Sequence, residues 1–331
     1  MNQVNKVTNI DAKRAFRRHI EVHKIIPTIY IDEYWDYYMD LYDLTDQWKE
    51  FLKDFIDSGF TYESFYSTYD TLLQQVSDVI NSKYDKDSFI EKCKSLLKDA
   101  PSTLNKVDSL CNLTPGKYLY VDLRNGFDNS LRIVGLLDDK SVYDIIREAT
   151  PNKIFYNKKK IRFDVYHTCL PCIDFKDYLY SLESEILLEK IYNQNDPTIE
   201  YLNNHFELIG KTNGDAVIYK LNGDEDLKNI LGDYSYNGIQ YHTETLTVSD
   251  ITMFGNKYRY LINRDKNGKQ VNHIIYSDIN PDVHIMKSKL LNISLYPFAL
   301  KLATGEELNE KDLAVGYEDQ IFFHFDKSEI I

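Results

Sequence analysis

The alternation of apolar and polar positions is sharpest between Lys117 and Leu137, KYLYVDLRNGFDNSLRIVGLL. Pro115-Gly116 breaks the chain before it, and Leu119, Val121 and Leu123 then alternate with Tyr118, Tyr120 and Asp122, the period-two signature of a strand. Asn125-Gly126 forces a turn, and Leu131, Val134 and Leu137 carry a helical spacing leading away. One carboxylate, Asp122, therefore stands at the mouth of a strand–turn–helix unit, fixed by the strand end and still reached by water.

Upstream the period is helical. Residues 11–24 predict a short basic helix carrying Lys13, Arg14, Arg17, Arg18 and Lys24, with Asp11 as its cap. Tyr34, Tyr38, Leu41/Tyr42, Trp48, Phe51/Leu52 and Phe55 then predict a helix over 31–57, followed by others over 61–82, 86–98 and 102–111. Breaks fall at Gly59, Tyr84-Asp85, Pro101 and Pro115.

Downstream, Ser141–Ala149 and Lys153–Tyr166 read as helices, and residues 174–193 as an amphipathic helix with Phe175, Leu179, Leu182, Ile186 and Ile191 on the buried stripe. Residues 205–210 and 216–221 flank Asn213-Gly214, the strongest short turn signal, and predict a β-hairpin with Asp215 at the start of its second strand. Strands are predicted over 241–251, 258–262, 271–276 and 320–325, and a helix near 282–291. The expected fold class is α+β: an all-helical region over 1–114, then a mixed region over 115–331 with an antiparallel sheet.

Composition narrows this only in part. Net charge is −13 over 331 residues, which excludes a chain that coats nucleic acid along its whole surface but leaves room for a local basic site. Mean hydropathy is −0.45, no apolar run is long enough to span a membrane, and the first residues lack the core of a signal peptide. The expectation is a cytoplasmic protein without a membrane partner. With 27 Tyr against 13 Gly and 8 Pro, the usage suggests an AT-rich, viral or phage coding sequence and thus a host-cytoplasmic location. Residues 27–70 hold eleven acids against two lysines, interleaved with aromatics. That is ordinarily a solvated face over a core, and alternatively a surface for a basic protein partner in a non-catalytic, host-interacting chain.

Three groups of residues could carry chemistry. The first is Asp122, the basic stretch KIFYNKKKIR with Lys158, Arg162 and Tyr166 on one helical face, and Asp215. Two strand-end carboxylates suit Mg²⁺, which takes oxygen ligands and shares them with phosphates. A strand acid, a basic helix and an acid in a tight hairpin, in that order, resembles the palm and fingers of single-subunit nucleic-acid polymerases, nearest family A DNA polymerases and the related phage RNA polymerases. YVDLRNGFDNSLRIVGLLDD is similar to the first palm motif, KKKIRFDVY to the fingers helix, and FELIGKTNGDAVIYKL to the hairpin with the second metal-binding acid.

The resemblance implies a palm-like sheet and Mg²⁺-dependent nucleotidyl transfer or nucleic-acid processing with two ions. Asp122 and Asp215 would be the catalytic and metal-binding pair, and Lys158, Arg162 and Tyr166 would meet a nucleotide or nucleic acid. The chain departs from the family in having Leu170-Pro171 where the fingers helix continues to Tyr-Gly, and Asn213-Gly214-Asp215 in place of His-Asp-Glu or His-Asp-Ser.

The second group is Cys169-Leu-Pro-Cys172, which resembles the thioredoxin motif and implies a thiol oxidoreductase. Zinc held by all four cysteines (93, 111, 169 and 172) lacks paired spacing at Cys93 and Cys111. The third is His19 and His23, one helical turn apart, read as surface residues.

Overall fold

In the computed structural model, residues 3–19 and 35–330 are described with interruptions, the longest at 165–172, 277–284, 288–291, 310–313 and 317–321. The elements follow the α+β expectation. Helices α1 (Gln3–Arg18), α2 (Trp35–Leu41), α3 (Thr45–Asp57), α4 (Tyr62–Lys83) and α5 (Lys86–Lys98) precede strand β1 (Gly116–Leu123). Next come α6 (Gly126–Ile133), α7 (Val142–Ala149), α8 (Lys153–Asn157) and α9 (Ile173–Leu182), whose helix continues through a π turn (Glu183–Leu187) into α10 (Leu188–Asn193). Then follow α11 (Pro197–His205), β2 (Glu207–Lys211), β3 (Ala216–Lys220), β4 (Gly232–Tyr236), β5 (Ile239–Met253), β6 (Asn256–Arg264) and β7 (Gln270–Tyr276). The C-terminal part adds two short strand pairs and α12 (Tyr296–Thr304).

Strands β2-β3-β1-β5-β6-β7 lie in that order, all antiparallel, with β4 paired to the start of β5. β1 thus sits between β3 and β5, although every strand beside it comes far later in the chain. One face of β1 carries Leu119, Val121 and Leu123, which pack with Val217 and Tyr219 beneath Leu187, Leu188, Ile199 and Leu202 of the helices. On the opposite face, Tyr118, Ile218, Leu246, Val248 and Leu261 pack with Leu113.

The helices form the third and largest cluster. Phe16, Trp35, Trp48, Phe51, Phe55 and Phe65 are buried together with Phe155, Leu131, Leu179 and Leu182 from beyond residue 114. Phe51, Phe55, Phe65 and Phe155 are fully buried, and each such ring contributes about 1.5–3 kcal/mol by leaving water. The basic helix docks into this core. Lys13 lies over the Trp35 ring and Arg18 over Tyr62 and Tyr66, while Asp11 accepts the Tyr62 amide at 3.2 Å and so caps α4 instead of its own helix.

Several expectations need correction. The helix foreseen over 31–57 is broken between α2 and α3, where Asp43 takes a left-handed conformation and the Leu44 amide folds back to the Met39 carbonyl. The helix foreseen over 102–111 gives way to an extended pairing. Lys211 donates to the Asn105 carbonyl and accepts from the Val107 amide, so this segment covers the β2 edge. Gly210 permits that approach, since a Cβ there would lie 2.4 Å from the Asn105 oxygen. The helix foreseen near 282–291 contains instead a strand, Ile285–Lys287, paired with Asn292–Ser294. His19 is not a surface residue: its side chain is 6% exposed, 3.2 Å from Asp164, and ringed by Phe65, Tyr66 and Tyr69. His23 lies outside the described residues.

Candidate active site

Asp122 stands one residue before the end of β1, half-buried. Antiparallel register lays Ala216 of β3 beside it on one side and His242 of β5 on the other, with Asp233 of β4 beyond His242. Asp215 directly precedes β3, and its carbonyl accepts the Leu123 amide at 2.8 Å. The two aspartates named from sequence therefore stand next to each other at the same end of neighbouring strands, although 93 residues separate them in the chain.

A third acid joins them. Glu183, at the start of the π turn, is 2% exposed. Burial, then the charges of Asp215 and Asp122, push its carboxyl up to about 9. Tyr120, on the same face of β1 as Asp122, has its phenol raised well above the ordinary value by burial and then by Asp215, Asp122 and Glu244. Tyr180, one turn before Glu183, is raised by burial and then by Glu183 and Asp215. Asp122 and Asp215 thus both act electrostatically on Tyr120 and on Glu183. The fit of Glu183 depends on Gly126, where a Cβ would lie 2.1 Å from Glu183 Oε1.

The π turn is pinned from below. Lys211 on β2 is fully buried and donates to Glu185 at 2.8 Å, to Glu189 at 3.0 Å and to the Ser184 carbonyl at 3.3 Å. Glu189, 1% exposed, also accepts the Leu104 amide. Glu185 and Glu189 both meet Lys211 here, and π turns recur at functional sites.

Polar groups extend the site along β5. His242 Nδ1 lies 3.0 Å from Asp233, and Nε2 4.0 Å from Glu244, which in turn accepts from Asn263 at 2.7 Å. Arg124, two residues beyond Asp122, pairs with the same Asp233 oxygen at 3.3 Å. Burial raises the Asp233 carboxyl, yet the hydrogen bond and charge of His242 and the Arg124 guanidinium outweigh it and hold it below its usual range.

Mg²⁺ is held by one or two carboxylates and completes its shell with water and phosphate oxygens. Among the described residues no group of three or more His, Cys, Asp or Glu could hold a metal ion.

Lys158, Arg162 and Tyr166, and with them Cys169 and Cys172, lie outside the described residues. Cys93 is a buried free thiol, and burial pushes it up to about 11 against the smaller opposing effect of Lys92. A thiol so placed is inert. Glu183, Arg124 and His242 were not singled out from sequence. For Glu183 a signal existed, since it falls four residues after Leu179 and so beside the apolar stripe, where a carboxylate is out of place. No helix among the described residues is long and apolar enough to cross a membrane. Comparison with protein-family models, with curated proteins and with solved structures finds no match to this chain.

Proposed function

We propose that the chain is a small palm-like protein that carries out Mg²⁺-dependent nucleotidyl transfer or nucleic-acid processing, with Asp122 and Asp215 as its metal-binding pair. The observation that carries this reading is the strand order. A helical crossover after β1 returns the chain to the β2–β3 hairpin, and β3 lies directly against β1. Asp122 and Asp215, from distant stretches of the chain, thereby stand at one strand end, which supports the reading.

When bound, Mg²⁺ would stabilise the charge that develops on phosphate oxygens and lower the pKa of the attacking hydroxyl. Asp122 and Asp215 would hold and orient it. Glu183, raised to about 9, would keep its proton at neutral pH and so spare the pair a third negative charge. The alternative, a binding protein acting through acidic aromatic helices, draws less support because Trp35, Trp48, Phe51 and Phe65 are spent in the core.

The test is incorporation of labelled nucleotide on a primed template with Mg²⁺. Asp122→Asn and Asp215→Asn should each lower the rate by about a hundredfold or more, as losing one charge-stabilising group does, with the melting temperature almost unchanged. Full activity in either variant refutes the reading.

A further inference from the structure

Beside Asp122 a cleft of about 400 Å³ opens between the β1–α6 turn and the β4–β5 hairpin, lined by Arg124, Asn125, Asp233, Ser235, Gln240 and two tyrosines. That size is in the range of small-molecule sites. The neighbouring carboxylates, Asp122, Asp215 and Glu244, would repel any phosphate-bearing substrate, and the chain as a whole is acidic. Arg124 is the guanidinium placed to offset them.

The Arg124 amide donates to the Gln240 carbonyl at 2.8 Å, which fixes the backbone, while its side chain remains 45% exposed. Its partner Asp233 is 72% exposed, and an ion pair as open as this is weak. Asp233 has a second hold, the hydrogen bond at 3.0 Å from His242, which is itself nearly buried. Asp233 thus stays in place if Arg124 leaves it. A phosphate offers Arg124 what a single carboxylate oxygen does not, two parallel charge-assisted hydrogen bonds.

We propose that this cleft binds the phosphate groups of the substrate, with Arg124 as principal ligand and Asp233 as an internal stand-in that holds the guanidinium until phosphate displaces it. The inference rests on the nucleotidyl-transfer reading and names the substrate-binding half of that site. Asn125, Ser235 and Gln240 supply neutral donors around the anion.

The experiment is calorimetric titration of the full chain with inorganic tripolyphosphate. Arg124→Gln should weaken binding tenfold or more, and Arg124→Lys should weaken it less. Asp233→Asn, which removes the competitor, should tighten it about threefold. The opposite signs separate this mechanism from general damage, and both side chains are exposed enough for the variants to fold. Equal affinity of the native and Arg124→Gln proteins, or a loss in Asp233→Asn, overturns the proposal. The titration requires no turnover. Binding through Arg124 without nucleotide incorporation would refute the transfer reading and keep the phosphate site. Asp122-dependent incorporation with a KM unmoved by Arg124→Gln would refute the phosphate site and keep the reading of the acids.

Discussion

Glu183 shows what a single residue can hide in a sequence. Its character comes from neighbours about 30 and 60 residues away, Asp215 and Asp122, and from the absence of a side chain at Gly126. Its place beside the apolar stripe marks it as unusual but not what it faces, whereas Glu185 and Glu189 serve as ion-pair partners. Its titration is measurable. The folded value, near 9, lies above the ordinary 4.5, so the native state keeps a proton that the unfolded chain has lost. The stability this proton confers is complete below about pH 4.5 and falls as pH rises toward 9. Glu183→Gln should flatten that slope in a series of melting curves and raise the melting temperature at pH 8. A slope identical in native and variant proteins would mean that Glu183 is ionised throughout. Asp122 and Asp215, by contrast, were legible, because turn chemistry and alternation place both at strand ends before any contact is known.

Among the elements, β1, the β2–β3 hairpin, α4, α5 and α7 follow local signals closely. Ser141 forms a capping box with Asp144 at the start of α7, and Asn213-Gly214 marks a hairpin that the structure forms. What escaped are features decided by distant partners. The 105–107 segment is extended because β2 offers it an edge, and Glu185 and Glu189 are held by a lysine on that same strand. Lys211 is the pin of that arrangement. Lys211→Met should cost about 3–5 kcal/mol in denaturant unfolding, because it leaves Glu189 buried without its cation. Replacing Lys211 and Glu189 together by apolar residues should cost less than the single change. If the single variant is as stable as the native protein, the buried pair contributes nothing to holding the helix.

On the scale of the molecule, a helical region precedes the sheet, and the hydrophobic core runs across residue 114. Phe155 stacks on Phe65, and Tyr178 meets Phe89 edge-on. A fragment of residues 1–114 should therefore lack a cooperative thermal transition and bind a hydrophobic dye. Sharp unfolding of that fragment would show that its helices need nothing from the later chain. The α+β class was legible in sequence because periodicities of 3.6 and 2 occupy separate stretches. That the two halves share one core was not, because periodicity shows which face is buried and not what buries it.

The strand order also sets a timetable. β1 presents Leu119, Val121 and Leu123 early in synthesis, but its two neighbours are residues 216–220 and 241–248. Until the ribosome has passed that point, both edges of β1 have no native partner strand. Long closures of this kind slow folding and leave intermediates prone to aggregate. The two aspartates therefore come together only late, and the nascent chain has to be kept from other chains while it waits for its own later strands.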